Sequence, residues 1–198
     1  PSRRFSPLTP ETRQLAEFHS GPVVGLDVSP TDHFAASAGA DGTVRCWDYV
    51  DKKPLYSRTF AQACTLLAWA PVAICPQART VLVGFADGVV RVLYRGASDW
   101  KTRQTFKPHN DAVLSASYSK DGRTLATGGK DHLIFLLAPV DARSTREYSP
   151  LGFVRLDAPV RSLAWRADAQ ALLFACDGEG GIVGEVDLAS ASAMTPEA

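Results

Sequence analysis

The chain has 198 residues, enough for one ordinary domain with a sizeable core. Its 21 basic and 21 acidic side chains cancel, and the basic residues are scattered, with only Arg3-Arg4 and Lys52-Lys53 adjacent. No long-range field draws such a chain to nucleic acid or an anionic membrane, so neither is expected as a partner.

The N-terminal stretch PSRRFSPLTPETRQ lacks the apolar run of a signal peptide, and three prolines in its first ten residues predict an extended lead-in over 1–12. RQLAEF (13–18) reads as an outer strand of a sheet that precedes the first complete unit. Unit one, about 19–60, gives four short apolar strands: VVGLDVS, HFAASAG, TVRCWDY and PLYSRTF. Unit two, 61–106, gives CTLLAWA, TVLVGFA, VVRVLYR and RQTF. Unit three, 107–156, gives AVLSASY, TLATGG, LIFLLAP and YSPLGFVRL. Unit four, 157–188, gives only PVRSLAW, ALLFACD and GIVGEVDL before a Ser/Ala/Pro tail over 189–198, read as flexible. The strands are rich in Val, Leu, Phe, Trp and Thr, which suit a pleated, half-buried surface. Asp-Gly and Pro-Thr-Asp turns between them favour tight reversals. No segment keeps a helical apolar stripe for three turns, and the longest apolar run, near 66–73, is too short to cross a bilayer. The expected class is all-β.

The units repeat. Asp41, Asp87, Asp131 and Asp177 recur at steps of 46, 44 and 46 residues. The strands that open each unit end 41, 49 and 47 residues apart. Two independent markers thus give a period near forty-five, and four antiparallel strands per such period form one blade of a β-propeller. Three full units and three strands of a fourth do not make the usual ring. The expectation is an open arc of a larger propeller.

Cys46, Cys64, Cys75 and Cys176 show no CxxC pairing and no His at metal spacing. Three fall in apolar strands, where small core filler is the simpler role, and such usage suits a reducing, intracellular compartment. Trp69 and Trp165 occupy matching places in opening strands and read as core. Trp100 lies in the polar stretch GASDWKTR and reads either as an exposed contact or as a ring folded over a blade edge. His33 and His132 follow or replace turn residues and have no ligand spacing. There is no phosphate-cradling glycine loop, and no cofactor is expected.

His19, Ser37 and Asp41 within one segment raise a catalytic possibility. It requires an exposed hydroxyl poised for attack. The set recurs as His109, Thr127 and Asp131 at nearly the same spacing, with Leu137 in place of Trp47, and no G-x-S-x-G elbow surrounds Ser37. Duplication unit by unit points to a structural clip.

GADGTVRCWD (39–48) resembles the signature of WD-repeat proteins, and FKPHNDAVLSASYSKDGRTLATGGKD (106–131) resembles the same repeat without its Trp-Asp. The likeness covers about 13–188 and is weaker in units two and four. It implies that His19, Ser37, Asp41 and Trp47 form a hydrogen-bonded structural tetrad, with His109, Thr127 and Asp131 a partial one. EFHSGPVVGLDVSP (17–30), VGFADGVVRVL (83–93), FKPHNDAV (106–113) and YSPLGFV (148–154) lie outside the generic consensus and resemble the cilia- and flagella-associated WD-repeat proteins. That resemblance implies a non-catalytic axonemal scaffold. Its partners would be an inner-arm dynein heavy chain, a related ciliary WD-repeat tether protein and the doublet microtubule. The rival reading is a generic WD-repeat protein-interaction scaffold of another intracellular complex, such as a ubiquitin-ligase substrate receptor. Those resemble one another in a Trp-Asp-x-Arg box, whereas here Trp47-Asp48 is followed by Tyr49-Val50.

Overall fold

In the computed structural model, residues 19–141, 144–178 and 180–188 are described; the expected lead-in, the 13–18 strand and the 189–198 tail lie outside them. Every regular element among the described residues is a strand. Sheet one is built from β1 (Val23–Val28), β2 (Phe34–Gly39), β3 (Thr43–Asp48) and β4 (Lys53–Thr59). Sheet two holds β5 (Cys64–Trp69), β6 (Thr80–Phe85), β7 (Val90–Arg95) and β8 (Trp100–Phe106). Sheet three holds β9 (Val113–Tyr118), β10 (Leu125–Gly129), β11 (Leu133–Asp141) and β12 (Ser144–Arg155). Sheet four is the three-stranded set β13 (Val160–Trp165), β14 (Ala171–Cys176) and β15 (Ile182–Asp187). Each sheet is an antiparallel meander in chain order, so the period of the sequence is the period of the fold.

The first strands β1, β5, β9 and β13 pack against one another in series, and the sheets stack face to face as blades around them. Side chains alternate across each strand, so one blade presents one row forward and another backward. Ala36, Ala38, Val44 and Cys46 of blade 1 thus meet Trp69, Val81, Val83 and Leu93 of blade 2 in one dry core. Leu66, Leu82, Val90 and Val92 of blade 2 meet Val113, Leu125 and Leu137 of blade 3 in the next. Ile134 and Leu136 meet Val160, Leu163 and Leu172 in the third.

Polar bridges tie the same interfaces. Asp27 accepts the Trp69 backbone N–H at 2.8 Å. The Gln104 amide donates to the Tyr148 carbonyl at 2.7 Å and accepts its N–H at 2.8 Å, reproducing a rung of a β-ladder between two outer strands. Together with Pro150 and the bulge near Leu137, it leaves the long β12 a poor template for strand addition.

The outer blades keep one face open. Leu26 and Val28 are 69% and 54% exposed, although the residues in the same register of blade 2, Leu67 and Trp69, pack against blade 1. At the other end Val183 is 80% exposed, while its counterpart Val90 is buried. The four blades therefore form an open arc, as the unit count predicts.

All four cysteines are buried and free, Cys75 included, which lies within the ten-residue β5–β6 connection. That connection lies on the β9–β10 turn of blade 3, where Ile74 would stand 2.7 Å from a Cβ on Gly122.

Two sequence readings need correction. Trp100 is not an exposed contact: it is the first residue of β8 and 1% exposed, wedged between blades 1 and 2 with Tyr56 and Trp69 edge-on to its ring. A lone aromatic between Asp99 and Lys101 imitates a loop, and RQTF proved to be only the end of the strand. β11 and β12 also run longer than LIFLLAP and YSPLGFVRL, to Asp141 and from Ser144.

Gly88 shows why the turns of blades 1 and 2 are Asp-Gly, whereas blade 3 places His132 there at a φ of +67°. The φ of Gly88 is +83°, and a Cβ on it would come within 2.9 Å of the carbonyl oxygen of Asp111 and closer still to that of His109. Gly88→Ala is expected to cost about 1–3 kcal/mol in denaturant titration, because an L side chain is strained at that φ and backbone cannot yield.

Candidate functional site

The turn between β2 and β3 and the segment entering β1 converge at one end of blade 1. Asp41 stands in that turn, held by its own neighbours: the Thr43 N–H donates to Oδ1 at 3.0 Å and the Thr43 hydroxyl at 2.8 Å. The Ser20 N–H donates to Oδ2 at 2.8 Å. His19 Nδ1 lies 3.2 Å from Oδ1 and 2.8 Å from the Thr43 hydroxyl. Its other nitrogen, Nε2, lies 2.7 Å from Ser37 Oγ on β2, and Trp47 Nε1 on β3 donates to that same oxygen at 2.8 Å.

The proton pattern follows from what each group is able to do. Indole only donates, so Ser37 Oγ accepts from Trp47, which leaves the hydroxyl hydrogen to donate to His19 Nε2. Nδ1 then carries the imidazole hydrogen, directed at Asp41. Burial raises the Asp41 carboxyl, but hydrogen bonds from the Thr43 backbone and hydroxyl, the Ser20 backbone and His19 outweigh it and hold the acid well below its ordinary 3.8. The four residues singled out in the sequence are therefore brought together. Ser20 and Thr43 were missed, although the Asp-Gly-Thr order of the turn carried the signal for Thr43.

The connectivity Ser37–His19–Asp41 is that of a hydrolytic triad, so the surroundings decide what it can do. Ser37 is 4% exposed and lies between indole and imidazole. An attacking oxygen needs an open approach of about 3 Å to a substrate carbon, and here that approach is taken by Trp47.

Blade 3 repeats the arrangement. His109 Nδ1 is 2.9 Å from Asp131, its Nε2 is 3.0 Å from the Thr127 hydroxyl, and the Asn110 N–H reaches Asp131 at 2.9 Å. Leu137 pairs with Leu125 in the register that pairs Trp47 with Ala35, and the Phe135 ring stands edge-on to the imidazole at 5.2 Å. Burial pushes the His109 ring below its ordinary 6.5, against the opposing pull of Asp131. A ring kept neutral in the fold but free to protonate when unfolded adds stability above pH 6.5 that is lost as pH falls through the folded value. Chemical denaturation at about pH 7.5 and about pH 5.5 is expected to show wild type losing stability and His109→Gln losing less.

Blade 2 has Val83 at the hydroxyl position, as the sequence suggests, but in blade 4 the register corrects the reading: Phe174 pairs with Leu163 as Thr127 pairs with Ala116, and Ala175 stands one residue further on, where the other blades have Ala38, Gly84 and Gly128. In blade 2 the Arg91 guanidinium stacks over Phe85 at 4.5 Å and Phe60 at 5.2 Å, a packing solution that the sequence did not single out. Among the described residues no group of three or more His, Cys, Asp or Glu side chains is placed to hold a metal ion.

Radial four-stranded blades fastened by a turn Asp, an imidazole, a hydroxyl and an indole define a WD-repeat β-propeller. The family model described as WDR90, 4th beta-propeller, matches residues 23–149, and the chain belongs to that family. Cilia- and flagella-associated protein 44 of Mus musculus is 37% identical over 176 residues, covering 81% of this chain and 9% of that protein. The protein of the same name from Chlamydomonas reinhardtii is 35% identical over 125 residues, covering 62% of this chain and 7% of that protein. The chain thus spans less than a tenth of the relatives' length. A chain in the crystal structure of the Mitotic Checkpoint Complex matches 89% of this chain and 51% of itself with a TM-score of 0.73 at 20% identity, a likeness of fold alone.

Proposed function

We propose that the protein is a non-catalytic WD-repeat scaffold of the cilium or flagellum, and that in the axoneme it helps tether an inner-arm dynein motor domain to the doublet microtubule. The kinship with cilia- and flagella-associated protein 44 in an animal and an alga carries the location. The scaffold role is supported by the buried Ser37 hydroxyl, held by Trp47 within a set that blade 3 repeats. In this reading the tetrads fasten blades so that loops at the rim hold partners in fixed relative positions.

Ser37→Ala separates fastening from chemistry. It leaves the indole N–H and imidazole without their partner, and a stability loss of about 1–3 kcal/mol is expected in urea titration. Loss of a hydrolytic activity at unchanged stability would reverse the reading. For the location, the whole protein carrying a fluorescent tag is expected along the axoneme of a ciliated cell, with cross-links to dynein heavy chain. A uniform cytosolic signal in such a cell would refute it.

A further inference from the structure

The charge of the chain is zero in total but unevenly divided. Residues 61–106 hold five cationic side chains, Arg79, Arg91, Arg95, Lys101 and Arg103, against two carboxylates, Asp87 and Asp99. Residues 157–188 hold six carboxylates against Arg161 and Arg166. Two of the five cations are used inside the fold: Arg91 stacks on Phe85, and Arg95 pairs with Asp32 at 3.2 Å while covering the Phe34 ring. The other three gather at one place on the outer part of blade 2.

Tyr94 is the centre of that place. Arg79 Nη1 donates to its hydroxyl at 3.3 Å, and the Arg103 guanidinium lies over its ring at 4.0 Å. Lys101 pairs directly with Tyr94 in the β7–β8 register, so its side chain rises from the same face of the sheet. Arg79 and Lys101 are exposed and Arg103 is half-buried. Among the described residues none of the three is in an ion pair, and Asp32 on the neighbouring blade is already engaged by Arg95. Two guanidinium groups on one phenol and a lysine in register beside it are like charges that repel each other.

We infer that this surface, Arg79, Tyr94, Lys101 and Arg103, docks an acidic polypeptide segment, rich in Glu or Asp and presented as an extended strand. Arginines already immobilised on a ring lose little freedom when they take a carboxylate in two-point contact. Three cations with apolar ring between them suit carboxylates spaced along a peptide. Nucleic acid would require a longer cationic track than these three side chains provide. The surface stands apart from the tetrads and from the ciliary reading, so either is able to fail without the other.

The test titrates the 198-residue chain into a fluorescein-labelled polyglutamate peptide and follows anisotropy at low and high salt. Binding is expected, weaker at high salt, and reduced about tenfold or more in Arg79→Ala/Lys101→Ala/Arg103→Ala. The variant Lys53→Ala/Lys107→Ala/Lys120→Ala, which removes the same charge from elsewhere, should lose less than about twofold. Should the triple variant at the surface fail to fold, Lys101→Glu changes one exposed side chain and should still weaken binding by about threefold or more. Equal losses in the two triple variants, absence of binding, an unaffected Lys101→Glu, or tighter binding of a single-stranded oligonucleotide or an anionic vesicle through the same residues would each overturn the inference.

Discussion

Trp100→Ala is expected to lower stability by about 3–5 kcal/mol, the range for deleting a large buried aromatic. The ring is almost completely enclosed, set edge-on to Tyr56 at 5.8 Å and Trp69 at 6.4 Å, and its backbone carbonyl accepts from Arg58 of blade 1 at 2.6 Å. Truncation opens a cavity between blades 1 and 2 that β8, an outer strand with a fixed register, cannot collapse to fill. Trp100→Phe provides the contrast. Among the described residues the indole N–H has no hydrogen-bond partner, so a smaller aromatic loses packing alone, about 1–2 kcal/mol. Equilibrium urea unfolding of both variants checks the pair; equal and small losses would mean that Trp100 does not wedge the blades.

Asp41→Ala is expected to cost about 2–4 kcal/mol at neutral pH, since it orphans the Ser20 and Thr43 N–H groups and the His19 ring together. The sign of the pH dependence follows from a carboxyl held below 3.8 in the fold. Its contribution is complete above that value and disappears as pH falls through the lower, folded one. The gap between wild type and Asp41→Ala should therefore be widest near neutrality and narrow on acidification below about pH 3. A constant gap across that range would mean that the carboxylate is not the group gathering the turn.

Much of this was written in the chain. Four Asp turns at near-constant steps fixed the number and order of the sheets, because a meander of short strands leaves each turn to be specified locally. The tetrad residues were legible because the His, hydroxyl and Asp recur in unit three at nearly the same spacing, which argues against chemistry, and because the WD-repeat resemblance implies their roles. What stayed hidden depends on contacts between blades. Trp100 looks like a loop residue because its burial comes from Tyr56 and Trp69, distant in sequence, and because the bulge opposite Val92 and Leu93 breaks the alternation that would have announced β8. The length of the β11–β12 hairpin escaped notice because Pro139, a residue that ordinarily ends a strand, pairs with Tyr148 instead. Arg91 reads as a surface charge until Phe60 and Phe85 are seen beneath it.

Stacking in series has a mechanical consequence. Each blade leans only on its immediate neighbours, so cooperativity falls off with distance along the arc, as in a row of linked springs. Among the described residues blades 2 and 3 are gripped from both sides, whereas blade 4 packs against blade 3 alone and carries no His-Asp brace. Under rising denaturant, amides of β14 should exchange with solvent before those of β6 and β10, and unravelling should travel inward from that end.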